Sequence, residues 1–519
     1  MADHPRPFDW HPEPELLDVR DAATSRPALE RVGAQAWAAA LDYLYGEALR
    51  RGMGDPPGAE ALRAVYFEGT GGPAPAPVDP RPAAEVIDEF TTRMAPHMLN
   101  AWHPRVLSYF TPPPLVMSVV GELLAQIAQQ GVDVWHAGPV AAFVEEEVVR
   151  WLCDLVGYGE GSFGLLASGG VMANFMGMAL ARDVRLAELR GLDRPPRGAA
   201  LEGARVYVSD QGHFSVGRAL DELGFPSETL VSIPSDDGFR VRVDMLGDAV
   251  RADRAAGLTP FAVVGVAGTT NTGSIDDVPA VAQIARREGL WFHVDAAYGA
   301  AARLSDRMAP LVPGLELADS VTVDPHKWFF QAYDIGGLVV RDGSLLGRVF
   351  SRRPEYYRGG GDTAVAHDTH TAESLDFYTL GFEGTRRWRA LKLWMSWHHL
   401  GTSGLGKLVE RTADVAAYLH GFVAGAPDFE AAHEPELGVV CFRHLAPGLA
   451  GEALDRHQDR LQAALEADGD GWLSTTRLRG ATWLRAGVMN PMTSEADIDR
   501  LLDDLRRLAP SDEVIAPDQ

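Results

Sequence analysis

Residues 290–299, LWFHVDAAYG, and residues 319–328, DSVTVDPHKW, share one pattern: a short apolar run that stops abruptly at charged residues. Runs this short, rich in Val, Phe and Trp, predict strands buried on both faces. Four more of the same kind lie around them: RVYV (205–208), TLVSI (229–233), FAVVGV (261–266) and GGLVV (336–340). Amphipathic segments at about 214–223, 242–256 and 277–288 predict helices between the strands from 205 to 294. Strand–helix alternation with near-continuous apolar strands predicts the α/β class, a mostly parallel central sheet covered by helices on both faces.

Upstream of the sheet, helical spacing predicts helices at about 170–190, 141–156 and 116–130. In the 141–156 segment, Phe143, Val144, Val148, Val149, Leu152, Leu155 and Val156 share a face, and Glu145, Glu146 and Glu147 read as a helix-start feature. Further upstream, residues 69–82 (GTGGPAPAPVDPRP) form a linker too rich in Gly and Pro for a helix or central strand. It separates helices predicted at about 33–49 and 83–98, and residues 1–30 read as a loose lead-in. Downstream, 381–400 reads as one long helix. Further helices follow near 405–424, 451–466 and 494–508, with strands such as GVVCFRH between them. The expected division is an N-terminal helical extension (1–114), a large domain (115–390) and a C-terminal α+β domain (391–519).

Composition narrows the function classes. Lys plus Arg is 47 and Asp plus Glu is 72 in 519 residues, a net charge of −25. So acidic a chain is a poor binder of polyanions, which argues against nucleic acid and anionic membranes as partners. The two cysteines, Cys153 and Cys441, match no metal spacing, and no metal is expected. The N-terminus is acidic and Pro-rich with no apolar core of a signal peptide, and no apolar run reaches the roughly 18 residues of a membrane span. A cytoplasmic protein is the expectation.

The strand ends carry the chemistry. LWFHV runs into Asp295-Ala296-Ala297, SVTV into Asp324-Pro325-His326-Lys327, FAVVGV into Ala267-Gly268-Thr269-Thr270, and RVYV into Ser209-Asp210-Gln211-Gly212-His213. In open α/β sheets ligands bind beyond the carboxyl ends of the strands, so these four ends converge on one crevice. Ser168-Gly169-Gly170 precedes the 170–190 helix, where small residues let backbone N–H groups approach an anion. Pyridoxal 5′-phosphate requires this whole set: a lysine for its Schiff base, a carboxylate facing its pyridinium nitrogen, a phosphate cradle and a cover for the ring face. Lys327, Asp295, Ser168-Gly169-Gly170 and His213 can fill these roles in that order.

These stretches resemble the group II pyridoxal-phosphate decarboxylases, the aromatic-L-amino-acid decarboxylase family with its glutamate, histidine and diaminobutyrate relatives. The matching residues are HVDAAYG (293–299), DSVTVDPHKW (319–328), SDQGHFSVGRA (209–219), GTTNTGSID (268–276) and RRWRALKLW (386–394), and the likeness runs from about residue 33 into the C-terminal domain. The resemblance implies a type I, aspartate-aminotransferase-like fold. It implies Lys327 as the Schiff-base lysine with His326 beside it, Asp295 on the pyridinium nitrogen and Ala297 packed on one ring face. His213 would stack on the other face and orient the substrate carboxylate. Thr270 and Ser320 would lie near the cofactor, with Gly169 and Gly170 on the phosphate. Tyr356, in the segment SRRPEYYRGGGD, would return the proton to Cα, with its neighbour Tyr357 as the other choice. A homodimer with composite sites is also implied.

Two positions depart from the aromatic enzymes: Asp324 stands where they often carry Asn, and Tyr109-Phe110 is followed by Thr111-Pro112 rather than Pro-Thr. The expected reaction is α-decarboxylation of an L-amino acid, aromatic first. The alternatives are a basic amino acid of the 2,4-diaminobutyrate or lysine type, for which Asp133 could serve the cationic side chain, and an aldehyde synthase on the same scaffold. A dinucleotide-binding oxidoreductase is excluded because no G-x-G-x-x-G opens the first strand–helix unit. Intact Lys327, Asp295 and His213 argue against an inactive scaffold.

Overall fold

The computed structural model describes residues 8–48, 58–67, 71–352 and 375–509. Helices α1 (Ala22–Asp42), α2 (Ala59–Tyr66) and α3 (Ala83–Glu89) lead in, and α1 packs on α3. Helix α1 starts well before the predicted 33. The Asp21 side chain caps it by accepting the Ala23 N–H at 3.0 Å, and the helix runs on through Pro27. Two longer helices follow, α4 (Val116–Ala128) and α5 (Pro139–Val156).

The central sheet has seven strands. β1 (Phe163–Ala167) leads into α6 (Gly170–Leu180), which continues through a wide turn (Ala181–Leu186) into the short α7 (Ala187–Leu189). Then β2 (Ala204–Ser209), α8 (Ser215–Glu222), β3 (Leu230–Ile233), α9 (Val243–Ala255), β4 (Thr259–Val266), α10 (Val278–Glu288) and β5 (Trp291–Asp295) alternate in chain order. β6 (Ser320–Val323) and β7 (Gly336–Val340) complete it. The spatial order is β1-β7-β6-β5-β4-β2-β3, and β7 alone in this sheet runs against the rest. Strand β1 is not among the predicted strands. Its five residues are all buried, and they pair antiparallel to β7 from Phe163↔Val340 to Ala167↔Gly336.

After α11 (Ser344–Phe350), helix α12 (Ala390–Gly425) spans what the sequence pattern divided into two helices, bending at Gly401 with φ 65°. It begins at Ala390, not 381. Residues 381–389 leave the helix because they form a backbone staple: Val132 N–H donates to Arg386 O at 2.9 Å, and the Arg386 side chain plunges into the core. A second sheet, β8 (Phe429–Ala431), β9 (Val439–His444), β10 (Ser474–Leu478) and β11 (Ala481–Gly487), is antiparallel in the order β10-β11-β9-β8. Helices α13 (Gly451–Asp468) and α14 (Glu495–Leu508) accompany it. Among the described residues no helix is long and apolar enough to cross a membrane, and both cysteines are buried free thiols.

Candidate active site

A cavity of about 400 Å³ opens where the carboxyl ends of β4, β5 and β6 meet the start of α6. It is lined by Phe110, Ser168, Gly169, Gly170, Val171, Met172, Asn174, His213, Phe214, Val266, Gly268, Thr270, Asp295, Ala297, Tyr298, Asp324, His326 and Lys327. The fold thus brings together Lys327, His326, Asp295, Ala297, His213, Thr270, Ser168, Gly169 and Gly170 from segments far apart in the chain. Parallel strands deliver them, since each strand's last residue faces the same edge of the sheet.

Ser320 does not join them. It opens β6, at the opposite end of the strand from Asp324, and is fully buried behind the cavity. Its hydroxyl accepts from Trp291 Nε1 at 3.0 Å and meets His293 Nδ1 at 2.8 Å. Tyr356 lies outside the described residues.

Asp295, at the end of β5, is buried and held from two sides. Ala297 N–H donates to Oδ1 at 3.2 Å and Asn174 Nδ2 donates to Oδ2 at 2.7 Å. Asn174, buried on α6, has no signature in the sequence pattern; its role emerges only when α6 is laid across β5. His213 accepts at Nδ1 from the Ser215 hydroxyl at 2.8 Å and, more weakly, from the Ser215 backbone N–H at 3.3 Å. Burial holds the His213 imidazole below its ordinary pKa, partly opposed by the Asp295 carboxylate, so the ring is neutral near pH 7.

Lys327 Nζ stands 3.7 Å from Asp324 Oδ2 and 5.6 Å from the centre of the Phe110 ring. His326 accepts the Ile335 N–H at Nδ1, 3.3 Å away, which leaves the Nε2 proton facing Asp324 Oδ2 at 3.3 Å. Asp324 therefore points into the anion cradle and meets two basic side chains there. It also accepts the Gly170 N–H at 3.0 Å, and its Oδ1 is buried with no hydrogen-bond partner among the described residues.

Sequence reasoning also passed over Arg485 on β11, which is buried behind Phe110 with its guanidinium 4.9 Å from the ring centre. It donates to Thr270 O at 3.0 Å, Asn271 O at 3.1 Å and Ser108 O at 2.7 Å, tying the second sheet to the cavity wall.

The donor set fits pyridoxal phosphate. A primary amine, a buried carboxylate and a neutral imidazole surround a cavity that ends at the first turn of α6. The glycines there leave little room: a Cβ on Gly170 would lie 3.0 Å from Asp324 Oδ2, and one on Gly169 would lie 3.1 Å from His326 Cε1, each tight enough to push its neighbour. Without side chains, the backbone at this helix start can be approached by an anion, which the helix dipole favours, although Asp324 already accepts the Gly170 N–H.

A type I fold with a lysine and a carboxylate across one crevice defines a pyridoxal-phosphate enzyme. The profile of the pyridoxal-dependent decarboxylase conserved domain matches residues 70–445, and the chain belongs to that family of pyridoxal-phosphate-dependent carboxy-lyases. It is 32% identical over 408 residues to an aromatic-L-amino-acid decarboxylase of Bacillus atrophaeus, covering 78% of this chain and 81% of that one. It is 29% identical over 413 residues to an L-2,4-diaminobutyrate decarboxylase of Acinetobacter baumannii, covering 78% and 79%. Among solved structures, it resembles the glutamate decarboxylase domain of diaminobutyrate-pyruvate transaminase and L-2,4-diaminobutyrate decarboxylase from Vibrio parahaemolyticus. That likeness has a TM-score of 0.80 and 26% identity over 93% of this chain and 95% of that one.

Proposed function

We propose that this enzyme decarboxylates an aromatic L-amino acid to the corresponding amine and CO₂. The observation that carries the choice is the commitment of the cavity's carboxylates. Asp295 is engaged by Asn174 and Ala297, and Asp324 by Gly170, His326 and Lys327. Both Asp295 oxygens are engaged, and the one Asp324 oxygen without a partner among the described residues, Oδ1, lies buried beside Gly169 in the phosphate cradle and not at the substrate side chain. Asp133, the other candidate for the ammonium of a diaminobutyrate or lysine side chain, does not line the cavity. Among the described residues, what remains for a side chain is mostly apolar and aromatic, Phe110, Val171, Met172, Phe214 and Tyr298, with the hydroxyls of Ser168 and Thr270 beside them. Such walls suit a flat apolar group.

When bound, pyridoxal phosphate supplies the electron sink for the pair released at Cα. Lys327 would provide the amine that holds the cofactor, and Asp295 would face its ring nitrogen and favour a proton there. His213, neutral, would cover the cofactor and meet the substrate carboxylate. Tyr356, or its neighbour Tyr357, would return the proton to Cα, as the family resemblance implies.

The reading extends to the assembly. Large apolar side chains are exposed along the lead-in helices and α4, including Trp37 (47% exposed), Val86 (52%), Leu123 (54%) and Ile127 (74%). A second copy of the chain would cover them, in a homodimer with an interface of several thousand Å². Two unpaired thiols suit a reducing compartment such as the cytoplasm.

The test is CO₂ release from a panel of L-amino acids by the cofactor-loaded enzyme, with product analysis. Aromatic substrates should lead and yield amine. Preference for 2,4-diaminobutyrate or lysine would overturn the substrate class, and aldehyde with ammonia as the main products would establish the synthase reading instead. Sedimentation should give a dimer; an active monomer would overturn the assembly.

A further inference from the structure

Behind the cavity a line of buried polar side chains runs in one direction. Trp291 Nε1 can only donate, and it donates to Ser320 Oγ at 3.0 Å. The Ser320 proton is then free to go to His293 Nδ1 at 2.8 Å. His293, held neutral by burial with its pKa down at about 4, carries its remaining proton on Nε2 and gives it to Asn174 Oδ1 at 3.0 Å. Thr322 Oγ1 donates to the same oxygen at 2.6 Å. The other end of the Asn174 amide faces two acceptors, Asp295 Oδ2 at 2.7 Å and Ser215 Oγ at 2.8 Å. Ser215, its oxygen engaged, passes its own proton to His213 Nδ1 at 2.8 Å.

Buried polar groups are normally satisfied, and satisfaction alone would not require a direction. Here both ends are one-way. An indole N–H cannot accept, and an ionised carboxylate cannot donate. The amide of Asn174 is thereby fixed with its nitrogen toward Asp295, and the same nitrogen sets the Ser215 hydroxyl.

We infer that Asn174 is a positioning residue that, acting through Ser215, fixes His213 as the tautomer with its proton on Nε2 while holding the Asp295 carboxylate in place. This rests on the roles of His213 and Asp295 proposed above. Nδ1 of His213 can accept from Ser215 only if it carries no proton. Nε2, which makes no hydrogen bond to any described residue, then presents an N–H to the cavity. His213 meets the substrate as a hydrogen-bond donor suited to a carboxylate oxygen, and not as a base. One side chain thus couples the group that serves the ring nitrogen to the group over the ring face.

The experiment is nitrogen-15 NMR of histidine-labelled, cofactor-loaded enzyme, with the His213 signals identified by their loss in His213→Gln. The wild type should show His213 neutral and protonated at Nε2. In Asn174→Asp the amide nitrogen becomes an oxygen. The Ser215 hydroxyl then donates to that oxygen, and the 2.8 Å contact with His213 is kept only if Nδ1 takes the proton, against the weaker 3.3 Å Ser215 backbone N–H, so the tautomer should invert. kcat/KM in Asn174→Asp should fall at least tenfold. A loaded wild type protonated at Nδ1 overturns the inference whether or not the variants fold. An unchanged tautomer in a folded, loaded Asn174→Asp overturns it too. A wild type that takes up no cofactor, read by its visible absorbance, overturns instead the reading on which the inference rests.

Discussion

The Asp324 carboxylate accepts the Gly170 backbone N–H at 3.0 Å, at the first turn of α6 where an anionic ligand would use that same donor. Asp324 and a phosphate dianion thus compete for one N–H and repel each other at close range. Replacing the carboxylate by an amide removes the repulsion and keeps the shape. Asp324→Asn should therefore bind pyridoxal phosphate about tenfold tighter at pH 8, ~1.4 kcal/mol. The difference should shrink below pH ~6, where the phosphate itself takes up a proton. Titration of cofactor absorbance into the apo protein at both pH values measures this. Weaker binding by the variant at pH 8 would mean that Asp324 helps the cofactor by holding Lys327 and His326.

Lys327 and Asp295 should separate by what their loss removes. Lys327→Ala should abolish turnover, since Lys327 is the lysine that lines the cavity. Asp295→Asn should retain much of the cofactor affinity, which rests on the α6 cradle, and lose at least tenfold in kcat, ~1.4 kcal/mol. Near-normal kcat in Asp295→Asn would remove it from the ring nitrogen.

Glu145 and Arg386 form an ion pair with both side chains essentially inaccessible to water. Arg386 also donates to Leu166 O at 2.6 Å and Val132 O at 3.1 Å, and Glu145 accepts the Leu166 N–H at 3.1 Å. The pair joins α5, β1 and the segment before α12. Removing the acid leaves a guanidinium buried without a counter-charge, so Glu145→Gln should lower unfolding free energy by about 3–5 kcal/mol. Urea denaturation measures it, and a loss under about 1 kcal/mol would show that the backbone carbonyls suffice.

The same pair marks where the sequence stops being legible. The strands between 204 and 340 and the helices between them could be read because periodicity and abrupt charged ends are local properties. The cavity-lining residues at those ends were legible for the same reason. Glu145 read as part of a helix-start run, and RRWRALKLW as the interior of a helix. Nothing in either local pattern tells that Arg386 reaches Glu145 across 241 residues and unwinds the helix start to do so. Asn174 is invisible on the same grounds, since its partners are 41 to 148 residues away. Ser320 lay in a matching motif, yet β6 places it at the far end of the strand from the cavity.

Acid should weaken the protein through a histidine pair in the second sheet unit. His444 Nδ1 and His457 Nε2 share a hydrogen bond of 2.9 Å, and both rings are buried. One nitrogen donates and the other accepts, so the bond exists only while the accepting ring is neutral. The groups around them are mixed: Asp428 favours a proton on His444, while Arg506 opposes it, and Arg460 opposes one on His457. Burial dominates and holds His444 below its usual value and His457 down at about 4. A histidine whose folded pKa is depressed favours the fold while neutral. Its contribution is complete above the unfolded value of about 6.5 and declines as pH falls from there toward 4. The urea midpoint should therefore drop between pH 7 and pH 5 by more in the wild type than in His457→Gln, which carries no titrating ring at that position. Equal drops in the two proteins would place the acid sensitivity elsewhere.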